Sequence, residues 1–156
     1  MAVLGISANS RVVGLAVIDS GILLDYRIHL FTERWSDDKA CRIIESLQSC
    51  LTDFPITSIA ILIPHVHYAS PQTNNLITRI QAHCSTQKSS VSTYQAAALH
   101  NLCEASKKKK KALMKVLAER YPDLRYVHAK ELRNKNKYYH KLFEAVGAAT
   151  LFELHY

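Results

Sequence analysis

The chain has 156 residues, 48% hydrophobic and 21% charged, with a formal net charge of +7. That is enough for a single domain, residues 1–156, with a sizeable core, and it excludes the disordered and low-complexity classes. No apolar run can cross a bilayer, the start lacks a signal peptide's basic segment and cleavage site, and the cysteines (Cys41, Cys50, Cys84, Cys103) form no CxxC pair, so reduced thiols in a cytoplasmic chain without a membrane partner are expected.

The opening, "VLGISANSRVVGLAVIDSGILLDYRIHLF", predicts three strands: Val3–Ser7, Arg11–Asp19 and Ile22–Phe31. "ANS" and Ser20–Gly21 are the turns between them. Connections this short force an antiparallel meander. In the third strand Ile22, Leu24, Tyr26, Ile28 and Leu30 alternate with polar residues, which predicts one apolar face. Ser36 caps a helix over about Asp37–Asp53, with Ala40, Ile43, Ile44, Leu47 and Leu51 on one stripe. Trp35, just before it, reads as a packing residue. "SIAILIP", Ser58–Pro64, is a continuous apolar run, the pattern of a strand buried on both faces. After the polar loop "HVHYASPQTNN", a helix is predicted near Asn74–Cys84, a weaker strand at Ser90–Tyr94 and a short helix over Gln95–Ala105.

The last third differs in charge. Residues 107–141 hold 13 Lys/Arg and 3 Asp/Glu, while the rest of the chain holds 7 and 10. Such asymmetry favours a polyanionic partner, nucleic acid first. "SKKKKKALMKVLAERYPDL" predicts an amphipathic helix with Ser106 as N-cap and Leu113, Val116, Leu117 and Tyr121 on its apolar face. Its leading lysines repel one another and oppose the helix dipole, a cost that a phosphate-bearing partner would offset. "RYVHAKELRNKNK" reads as a short extended piece and a basic loop. Tyr138–Leu154 predicts a final helix that packs through Leu142, Phe143, Val146, Ala149 and Thr150.

The stretch Gly5-Ile6-Ser7-Ala8-Asn9-Ser10-Arg11-Val12-Val13-Gly14 resembles the opening of RuvC-type Holliday-junction resolvases, in the ribonuclease H-like superfamily. Those proteins begin with a strand ending Gly-Ile-Asp, a turn, then Ser/Thr-Arg-x-x-Gly and a second strand. "LLDYRIHLF" looks like their third strand. The motif covers about the first 31 residues; beyond it the likeness rests on element order and length. It implies an α/β ribonuclease H-like fold: a mixed five-stranded sheet of order 3-2-1-4-5, strand 2 antiparallel, with helices on both faces.

Such nucleases cut a phosphodiester with two divalent metals, about 4 Å apart, held by carboxylates. The resemblance places those acids at the end of the first strand, the end of the fourth, and twice on the last helix. The matching residues here are Ser7, Leu62, Glu144 and Gly147, so one carboxylate of the set survives. The expectation is a nucleic-acid-binding relative without resident cofactor or catalytic residues. The alternative is an active Mg²⁺-dependent endonuclease with a site rebuilt from His65, His67, His140 and Glu144. A third reading is a protein-interaction module. Candidate nucleic-acid contacts are Lys107, Lys108, Lys110, Lys111, Lys115, Lys130, Arg133, Lys135 and Lys137, with Tyr68 able to stack on a base and Tyr138 and Tyr139 divided between stacking and packing. DNA is expected ahead of RNA, and the resemblance also implies that a homodimer can form.

Overall fold

The computed structural model describes residues 1–65, 69–103, 110–133 and 139–155, with Lys110 described by its backbone alone. Five strands form one sheet in the order β3-β2-β1-β4-β5: β1 Ala2–Ala8, β2 Val12–Asp19, β3 Ile22–Leu30, β4 Ile56–Ile63 and β5 Ser90–Gln95. β2 pairs antiparallel with β1 and β3, while β4 lies parallel to β1 and β5. The expected order and the antiparallel second strand are both present.

Local chemistry fixes the turns. The Asn9 side chain accepts from the backbone N–H groups of Arg11 and Val12, both at 2.8 Å, and so closes the β1–β2 connection. Ser20 and Gly21 both have positive φ, 51° and 77°. They sit between the paired residues Asp19 and Ile22, the backbone of a two-residue hairpin turn matched to strand twist.

Alternation along β1 divides the core. Leu4, Ile6 and Ala8 face one layer with Val13, Leu15, Val17, Ile59 and Ile61. Helices α1 (Asp37–Asp53) and α2 (Pro71–Ser85) cover that face. Ser36 caps α1, its hydroxyl accepting from Lys39 N–H at 3.1 Å; Ser70 does the same for α2 through Thr73. Trp35 packs on this layer, as expected. Val3, Ala16, Ile18, Ala60 and Leu62 face the other layer, covered by α3 (Lys110–Arg120), α4 (Arg125–Arg133) and α5 (His140–His155).

Three expectations need correction. A bulge at Leu24 breaks the alternation of β3, since Val17 pairs with Asp25 but Ile18 with Leu23. Leu23 therefore turns inward, while Ile22 and Leu24 are exposed. The short helix expected after β5 is present as a 3-10 helix, Ala96–Leu102. The buried stripe of α3 runs through Leu113, Met114, Leu117, Ala118 and Tyr121, leaving Val116 only half-buried. Finally, Arg125–Arg133 is helix α4 and not an extended piece. Its apolar face is thin, with Val127 and Glu131 as its buried residues, so periodicity in the sequence is too weak to mark it. Residues 134–137 at the end of that stretch, and the cap Ser106, lie outside the described residues.

Helix α5 is the structural centre of its layer. Every residue from Leu142 to Phe152 is buried, far more than the single stripe the sequence suggests. Two glycines let it approach the strands. A Cβ on Gly5 would overlap the carbonyl oxygen of Ala145, and one on Gly14 would overlap that of Lys141 and come within 2.6 Å of Leu142 N. Ser7 faces Gly14 across the β1–β2 pairing. The close approach at Gly14 thus sets the first turn of α5 against the end of β1.

Candidate functional site

Side chains from distant parts of the chain meet where β1 ends and α5 begins. Ser7 Oγ donates to Glu144 Oε1 at 3.1 Å, across 137 residues of sequence. Lys141 Nζ lies 2.8 Å from the same oxygen, one helical turn back. His140 Nε2 lies 3.5 Å from Glu144 Oε2. Ser7 and Glu144 are only 2% and 8% exposed.

Two opposing effects act on this carboxyl group. Burial alone raises its pKa, because a charged carboxylate loses water. The hydrogen bond from His140 and the charge of Lys141 act the other way and prevail, holding Glu144 at about 2 against an ordinary 4.5. Glu144 is therefore an anion at neutral pH, neutralised by the protein's own donors. His140 Nδ1 is buried without a hydrogen-bond partner among the described residues.

The other two positions that the sequence resemblance singles out are apolar. Leu62, 2% exposed, lies on the α5 side of the sheet. Gly147 follows Glu144 by one turn, and the space a side chain would take is filled: an added Cβ would lie 2.7 Å from Leu99 Cδ2 and 3.6 Å from Leu102 Cδ1. Neither leucine stands out in the sequence, because the 3-10 helix that carries them has no family motif to mark it. The donor set does not fit a divalent pair. Hard ions need several anionic oxygens, and among the described residues this corner offers one carboxylate, already bound to an ammonium and a hydroxyl.

The alternative ligand set is brought together only in part. His140 and Glu144 meet, His65 is exposed beyond the end of β4, and His67 lies outside the described residues. Among the described residues no three His, Cys, Asp or Glu side chains are grouped to hold a metal.

Of the basic candidates, Lys111 and Lys115 are exposed on α3 and Arg133 at the end of α4. Lys130 is half-buried, its Nζ 5.8 Å from the centre of the Tyr139 ring. Tyr139 packs on the core beneath. Lys107, Lys108, Lys135, Lys137, Tyr68 and Tyr138 lie outside the described residues, as does the side chain of Lys110.

The mixed sheet and its helices have the ribonuclease H-like fold seen in solved Holliday-junction resolvases. The chain is similar to RuvC of T. thermophilus in complex with a Holliday junction substrate, with a TM-score of 0.76 and 14% identity over 99% of this chain and 94% of that one. A second Thermus thermophilus RuvC structure gives 0.69 and 15%, over 96% and 91%. Fowlpox virus resolvase, solved with Holliday junction DNA, gives 0.62 and 13%, over 99% and 98%. No family model and no curated protein matches the sequence. Among the described residues no helix is long and apolar enough to cross a membrane.

Proposed function

We propose that this chain binds nucleic acid, branched DNA foremost, as a RuvC-like protein that does not cut by the two-metal route. One observation carries the reading: the single carboxylate at the acid positions is bound by Lys141 and Ser7, while a buried leucine, Leu62, stands at the second position and leucines fill the space beside Gly147. Two similar folds were solved with Holliday junctions, which directs the choice of substrate. The basic segment supplies what phosphate binding needs, and binding makes no demand on the acids.

The test uses four-way junction, duplex and single-stranded DNA. With Mg²⁺ or Mn²⁺ the expected outcome is binding without strand cleavage. Affinity should fall steeply with salt, and replacing Lys111, Lys115 and Arg133 by Gln should reduce the slope of log K against log salt by about 1 for each phosphate no longer neutralised. Cleavage that disappears in Glu144→Gln would overturn the reading of inactivity. A slope unchanged in the triple variant would remove these residues from the interface.

A further inference from the structure

Strand β3 forms one edge of the sheet, and among the described residues no strand pairs with its outer side. Such an edge invites another strand, and proteins guard it with lysine, proline or a covering element. β3 reads ILLDYRIHL, with neither lysine nor proline. Ile22, Leu24 and Leu30 are 63%, 47% and 55% exposed. The opposite edge differs: β5, SVSTYQ, is shorter and mostly polar. The bulge at Leu24 bends the start of β3, but from Asp25 to Leu30 its register with β2 is regular.

Exposed hydrocarbon alone does not name an occupant; the order of charges does. Two β3 strands laid antiparallel about a two-fold axis at Tyr26 set Asp25 of each opposite Arg27 of the other, and Leu24 opposite Ile28. Moving the axis one residue either way sets Asp25 or Arg27 against its own copy, like charge on like. Tyr26 and Ile28 already pack at the margin of the α5 layer, so Leu24 of a second copy extends that layer across the axis. Arg27 is held in place by Asp25, Ser49 and Asp53, which lowers the ordering cost of pairing. A guanidinium carries more N–H donors than those bonds use, so it can also meet a carboxylate from another chain.

We infer that the β3 edge is a self-association surface, through which two copies of this chain pair antiparallel in the register centred on Tyr26. The sheet then continues through both copies, and each edge closes the other. One strand makes a small interface, so the pair is reversible.

Sedimentation of the full chain without nucleic acid tests this, from about 1 μM to about 1 mM, the range a small interface spans. The wild type should pass from monomer to dimer. Leu24→Lys and Leu30→Lys, both at exposed positions, should each weaken the dimer by about tenfold or more. Asp25→Arg and Arg27→Asp should each stay monomeric alone and form a dimer when mixed, because the mixture restores opposite charges across the axis. Thermal melting checks that each variant is folded, and if a charge variant is not, the two lysine variants decide. A wild type monomeric throughout would overturn the inference. So would a dimer untouched by both lysine variants, folded charge variants that do not pair when mixed, or assemblies larger than two. Nucleic-acid binding is measured separately, so the proposed function stands or falls on its own.

Discussion

Glu144 is a buried carboxylate held by donors from its own helix and from β1. Its ordinary pKa of 4.5 falls to about 2 in the folded protein, a difference of about 3 kcal/mol by linkage. A depressed carboxyl stabilises the fold at pH above its unfolded value, and that contribution disappears as pH falls from 4.5 toward 2. Glu144→Gln should therefore be less stable than wild type at pH 7 by about 2–3 kcal/mol. The gap should close on acidification across that window, as urea unfolding at a series of pH values would show. Much of this corner is legible in the sequence. Ser7, Leu62 and Gly147 are visible as departures from an acid pattern, and Lys141 and His140 as neighbours of Glu144 on one helix. The filling of the Gly147 space is not legible, since Leu99 and Leu102 reach it from a distant segment of the chain, and no local pattern encodes such a meeting.

Among the elements, those with strong periodicity or a cap are readable. Helix α1 begins after Ser36 and spans Asp37–Asp53, as the serine, the acidic first turn and the apolar stripe predict. Helix α4 is not readable, because its buried positions include a glutamate while Tyr126 and Leu132 are exposed. The bulge in β3 is hidden because Leu23 and Leu24 are chemically alike, so composition cannot say which turns inward. Helix α5 depends on absent side chains as much as on present ones. Gly14→Ala should force its first turn away from β2, at a cost of about 1–3 kcal/mol or more for overpacking against backbone. Chemical denaturation should show the loss, and lengthening of the Ser7–Glu144 hydrogen bond should appear in a structure of the variant.

Over the whole molecule, charge is placed by the direction of the helices. Tyr121 meets Thr150 at 2.8 Å and Leu117 approaches Gly147, so α3 runs the same way as α5. His128 packs on Phe143, with ring centres 6.1 Å apart, and Lys130 reaches Tyr139, so α4 runs the opposite way. The start of α3 and the end of α4 therefore lie toward the end of the molecule where α5 begins. Lys111 and Arg133 thus share that end with the Ser7–Glu144 corner. The burial of α5 has a further effect, on the order in which the chain can fold. Strands β1 and β2 precede the other described elements in the sequence and helix α5, which covers their second face, follows them, so the packing between them spans well over a hundred residues. Pairings this distant slow folding, and until they form, Val3, Ala16 and Ile18 lie against water. A chain cut before Leu142 should consequently remain unable to complete its second layer and should aggregate through the bare sheet, a result that sedimentation of the truncated protein would show.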